Sequence, residues 1–191
     1  MRKYLLIIST LFISFSVRAQ DVQLISRLNE YLHYNLELNF EKVMDYIHPS
    51  LFKRAPRKQL VEMFTQTYNN EQMKISIDSA SVLAISPVYR LDTALYHKVD
   101  YKMKLTLIFK DTAVTKNESF RNMVIANLGK AFSGGKVIYD AGANKFNISM
   151  SSILFAIKDN EKSLWLFLGY DSKQPQLKTL LPQEVLTHFR L

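Results

Sequence analysis

The chain contains no cysteine. Disulfides, thiol nucleophiles and cysteine-ligated metals are excluded together. So is the cysteine that a bacterial lipoprotein needs beside its cleavage site. Glycine and proline are scarce, with 5 of each in 191 residues. No glycine-rich phosphate loop follows a predicted strand, no nucleophile-elbow pattern occurs, and Gly134-Gly135 reads as a turn. The histidines His33, His48, His97 and His188 are scattered without ligand spacing, so no zinc site and no cofactor are expected. No low-complexity tract, internal repeat or long linker divides the chain.

Long apolar runs are also missing, except at the start. Arg2 and Lys3 precede an apolar stretch from Tyr4 to Phe15, and Val17-Arg18-Ala19 places small residues at −3 and −1 of a signal-peptidase site. The stretch falls short of the roughly 20 residues that a spanning helix needs. Residues 1–19 are therefore read as a signal peptide and 20–191 as a single domain, exported to the periplasm or exterior of a bacterium. Roughly 170 residues bury enough surface to stand without disulfides. Arg2, Lys3 and Arg18 lie in the leading segment, which holds no acid, so without it the formal charge falls from +8 to +5. That mild, dispersed excess argues against a nucleic-acid partner and permits attraction to an anionic envelope surface.

What the sequence does contain is alternation. From Lys98 to Lys110, Val99, Tyr101, Met103, Leu105, Leu107 and Phe109 share one parity; Lys98, Asp100, Lys102, Lys104, Thr106 and Lys110 share the other, interrupted only by Ile108. Side chains alternate faces along a strand, so this is a long strand with one dry and one wet face. Such a strand belongs to an antiparallel sheet packed on helices. The lysine parity is read as a solvated face or edge protection, with an acidic docking partner as the sharper alternative.

The other elements are read as partners of that strand. Ile25, Leu28, Leu32 and Leu36, with Tyr31 beside them, predict a helix over 21–38. Asn39 is placed to cap a second helix carrying Phe40, Val43, Met44 and Ile47, ended by Pro49. Pro56 opens a third with Leu60, Met63, Phe64 and Tyr68. Strand residues begin near Met73, with a bulge suggested at Asp78-Ser79. Thr115 or Asn117 caps a helix bearing Phe120, Met123, Val124 and Leu128. Strands follow at 137–139 and from about 145. In the latter, Ile148 and Met150 lie on one parity and Ile153, Phe155 and Ile157 on the other, so a bulge is expected at Ser151-Ser152. A last strand, 164–170, is apolar on both faces. A short helix after Pro182, or a second subunit, would cover one of them.

The sum is an α+β fold: N-terminal helices packed on a strongly bent antiparallel sheet of about five to six strands, shaped as a cone. This order resembles the nuclear-transport-factor-two-like superfamily, which includes SnoaL-like and ketosteroid-isomerase-like proteins. The residues that carry the likeness are Phe40-Glu-Lys-Val-Met-Asp-Tyr-Ile-His-Pro49, the strand from Val99 to Phe109 and Ser163-Leu-Trp-Leu-Phe-Leu-Gly169. A cystatin-like fold would share the pattern with fewer helices. The resemblance implies an apolar pocket. In the family's enzymes it also implies an aspartate base and a tyrosine or acid that stabilises an enolate-like oxygen. No such base maps onto a position of this sequence.

From the residues alone, the candidates for chemistry are Asp45 and His48, three apart and so on one helix face, with Tyr46, Tyr101 or Tyr139 as a hydroxyl partner. The plainer reading places His48 at a favourable helix C-terminus and Asp45 in solvent. Met103 and Trp165, with the three tyrosines, are the candidate pocket lining. The expected function is an exported, non-catalytic binding protein with an apolar pocket or sheet surface for a small ligand or protein partner, with a homodimer through the sheet. An isomerase or dehydratase, and an envelope-assembly partner, are the alternatives.

Overall fold

A computed structural model describes residues 22–132 and 135–191, so the leading segment and Gly134 lie outside the described residues. Helix α1 spans 22–36 and buries Leu24, Leu28 and Leu32. The predicted stripe is rotated: Leu24 replaces Ile25, which is 49% exposed. Leu24, Leu28 and Leu32 repeat every four residues, and Ile25 falls about 100° away on a helix of 3.6 residues per turn.

Asn39 caps α2 (Phe40–Val43), its side chain accepting the Lys42 amide at 3.2 Å. The predicted second helix ends early. Met44–Tyr46 tightens into a 3₁₀ turn, and Ile47 is extended. Ile47 bridges Phe167, and the His48 amide donates to the Phe167 carbonyl at 2.8 Å. After a second 3₁₀ turn, Pro49–Lys53, Pro56 precedes α3 (Arg57–Tyr68).

Among the described residues the sheet is antiparallel with six strands: β1 (Met73–Ile85), β2 (Tyr89–Leu91), β3 (Ala94–Phe109), β4 (Lys136–Asp140), β5 (Lys145–Lys158) and β6 (Leu166–Tyr170). The central order is β1-β3-β5-β4, with β2 also on β3 and β6 also on β5. The two long strands thus carry different neighbours at their two ends, and the sheet curls without closing into a barrel. Asp78 sits in a bulge, as expected, and accepts the Ser76 and Thr106 hydroxyls at 3.0 and 2.7 Å.

The bulge expected at Ser151-Ser152 is absent. Met103 to Tyr101 pair with Met150 to Ser152 in unbroken register. The change of phase reports a change of cover instead. Phe146, Ile148, Leu154 and Ala156 face the N-terminal helices and α4. Phe155 and Ile157 face the opposite way, beneath the C-terminal segment. There α5 (Pro175–Lys178) is followed by α6 (Gln183–His188), which buries Val185 and Leu186 against Tyr96, Phe155 and Tyr170. β6 starts two residues later than expected, leaving Leu164 52% exposed.

Between β3 and β4, α4 (Glu118–Ala131) buries Val124 and exposes Met123. Its cap is Asn117, which accepts the Phe120 amide at 3.2 Å. Asn117→Ala should cost about 1 kcal/mol, read as a lower urea midpoint with an unchanged slope. No helix among the described residues is long and apolar enough to cross a membrane.

Candidate functional site

The apolar stripes of α1, α2 and α3 do not close fully onto the sheet. They enclose a cavity of about 440 Å³, within the range of small-molecule sites. Helix α1 contributes Tyr31, Leu32 and Asn35; α2 contributes Phe40 and Val43; α3 contributes Leu60, Met63, Phe64 and Tyr68. β3 supplies Tyr101 and Met103, and the far wall is Leu168, Gly169, Gln174 and Leu177. Met63 is 49% exposed, which places it at the mouth.

Among the described residues, the lining contains no aspartate, glutamate, histidine, lysine or arginine. Its polarity comes from Asn35, Gln174 and the hydroxyls of Tyr31, Tyr68 and Tyr101. Burial is the main cause that raises the pKa of each of these phenols. The neighbouring Tyr101 adds to the rise at Tyr31 and Tyr68. The Asn35 amide beside Tyr31 and the Ser152 hydroxyl bonded to Tyr101 act in the opposite direction. All three hydroxyls are therefore neutral at physiological pH and able to donate a hydrogen bond. No hydrogen bond ties the Tyr68 hydroxyl to another described residue.

Of the residues singled out from sequence, Tyr101 and Met103 line this cavity. Tyr46 lies outside it, donating to Glu30 at 2.7 Å beneath the Arg27 guanidinium. The hydrogen bond to Glu30, followed by burial, pushes its pKa up to about 12. Tyr139 donates to Asn144 at 2.7 Å, with Arg121 over its ring. Trp165 is fully buried in the core under α1, its ring flanked by His97 and Lys158. Its bulk fills space there and lines none.

Asp45 and His48 do not meet. The 3₁₀ turn ends at Tyr46, so the shared helix face does not exist. Asp45 is half exposed and pairs with Arg57 Nη1 at 2.8 Å. His48 instead caps the next turn: Nδ1 accepts the Ser50 amide at 3.3 Å and lies 2.8 Å from its hydroxyl. That network assigns the proton to Nε2, which faces Asp159 at 3.2 Å. Among the other histidines, His33 pairs with Glu37, His97 Nδ1 bonds the Ser86 carbonyl, and His188 stacks on Tyr89. No group of three His, Asp or Glu side chains among the described residues could hold a metal ion.

Most of the lining went unrecognised as site candidates, and the two missed tyrosines, Tyr31 and Tyr68, carry the most chemistry. Both were visible as tyrosines on helical apolar stripes, where a hydroxyl needs either a partner or a cavity. Set against known proteins, the chain matches no family model and no curated sequence.

Proposed function

We propose that this chain is an exported, non-catalytic binding protein that takes a small apolar ligand into the cavity between its N-terminal helices and the sheet. The observation that carries the reading is the lining itself: aliphatic and aromatic walls, and hydrogen-bonding groups that are all neutral. An ionised headgroup would lose its hydration there without gaining a counter-charge, at a cost of several kcal/mol. The fitting ligand carries a carbonyl or hydroxyl, placed against Tyr31, Tyr68 and Tyr101.

Export rests on the Arg2-Lys3 start, the apolar run after it and Val17-Arg18-Ala19. Membership of the nuclear-transport-factor-two-like superfamily belongs to the same proposal and rests on the order of helices and the curled sheet. An isomerase or dehydratase would need a base at the cavity, and neither Asp45 nor His48 is among its lining residues.

A competition experiment tests the ligand class. The neutral fluorophore N-phenyl-1-naphthylamine should bind and be displaced by decan-2-one or decanol, and far less well by decanoate. Tyr101→Phe should weaken the ketone by up to about tenfold, the worth of one hydrogen bond, and leave decane unchanged. Equal displacement by decanoate would overturn the neutral-ligand reading.

A further inference from the structure

The C-terminal segment covers only one end of the second sheet face, over Tyr96, Phe155 and Ile157. Among the described residues no helix packs over the other end, where Thr106 is buried among its sheet neighbours, and register fixes what stands on it. One row across the strands reads Ser79, Lys104, Ser149, Lys136; the next reads Ser81, Lys102, Ser151. On the other side of the first row lie Ser76, Thr106, Asn147 and Ile138, then Lys74 beside Ile108. Lys74, Lys102, Lys104 and Lys136 are exposed, and the residues between them in the two lysine rows are serines.

The acids of this face are already engaged. Asp78 accepts Ser76 and Thr106, Asp100 pairs with Lys98 at 3.0 Å, and Asp140, at the far end of β4, accepts the Ala143 amide at 3.0 Å. Among the described residues, no carboxylate lies within ion-pair distance of Lys102, Lys104 or Lys136. Ile108 and Ile138, 41% and 48% exposed, point the same way as these lysines.

We infer that this end of the sheet docks on an anionic lipid bilayer. A second copy is disfavoured, because a two-fold contact would set the unpaired lysines of one copy against those of the other. An acidic polymer would satisfy the lysines but offer nothing to Ile108 and Ile138. A lipid interface satisfies both, with phosphates for the ammonium groups and serine hydroxyls and an apolar boundary for the isoleucines. The inference is independent of what fills the cavity.

Flotation with phosphatidylcholine vesicles, with and without phosphatidylglycerol, tests it on the full chain. The neutral vesicles report what the apolar N-terminal run contributes, which is common to every variant. The expected result is binding that depends on phosphatidylglycerol and weakens with salt. Each lysine should contribute about fivefold, so removing three should cost on the order of a hundredfold, and the charge reversal K102E/K104E/K136E should lose at least that much. K42E/K58E/K162E makes the same change of net charge elsewhere on the surface and should bind like the parent. I108S/I138S should weaken vesicle binding and leave polyglutamate binding unchanged. Equal loss in the two triple variants, no preference for phosphatidylglycerol, or vesicle binding indifferent to I108S/I138S would each overturn the inference. Unchanged circular dichroism and urea midpoints establish that the variants are folded.

Discussion

Phe167→Ala is expected to cost about 3–5 kcal/mol and to lower the melting temperature by on the order of 10 °C. Phe167 has no exposed surface and sits in the cluster that joins α1 to the sheet. Its ring lies 5.0 Å from that of Tyr31. Its backbone carbonyl receives the His48 amide, so the same residue fixes the segment that leads from α2 to α3. Truncation leaves a void between α1, β5 and β6 that rigid neighbours on both sides cannot fill. Phe167→Leu should recover most of the loss. Chemical denaturation of the three proteins separates this cavity cost from a general intolerance of change at β6.

The second large effect is alkaline unfolding. The pKa values of Tyr31, Tyr68 and Tyr101 are all raised in the folded chain, mainly by burial. Each holds its proton in the native state at a pH where the unfolded chain has released it. The stability tied to these groups is complete below about pH 10, the unfolded value, and falls as pH rises through the folded ones. Each tyrosine contributes a slope of roughly 1.4 kcal/mol per pH unit between its unfolded and folded values, and the slopes add wherever these windows overlap. Urea midpoints measured from pH 8 upward should be flat at first and then drop steeply. Y31F/Y68F/Y101F should flatten the drop. Persistence of the full drop in that variant would place its origin outside the cavity.

Much of the architecture was legible because it follows from local rules. The alternation through Val99, Tyr101 and Leu105 identified the central strand. Asn39 and Asn117 were recognisable as caps by residue type and position. A polar interruption marked the Asp78 bulge, and an apolar final strand demanded a cover on each side, one of them now seen to be α6.

The errors share a physical origin: parity says which residues are dry, not what dries them. The shift at Ser151-Ser152 looked like a bulge, but β5 passes from a region with one covered face to a region with two. The same ambiguity affected the site. Trp165 and Met103 both read as buried apolar residues, yet the first fills the core and the second faces the cavity. Tyr31 and Tyr68 were hidden within helical stripes, since periodicity cannot tell a packed seam from one that stands open. Asp45 and His48 were set three apart on a helix that the chain abandons at Met44.

Met103→Trp tests the central claim most directly, because an indole at that position would occupy the cavity while leaving Asn35 and the three tyrosines intact. Titration with N-phenyl-1-naphthylamine should show saturable binding of one probe per chain in the parent protein and none in the variant, at unchanged far-UV circular dichroism. Saturable binding of equal affinity in both proteins would contradict the account.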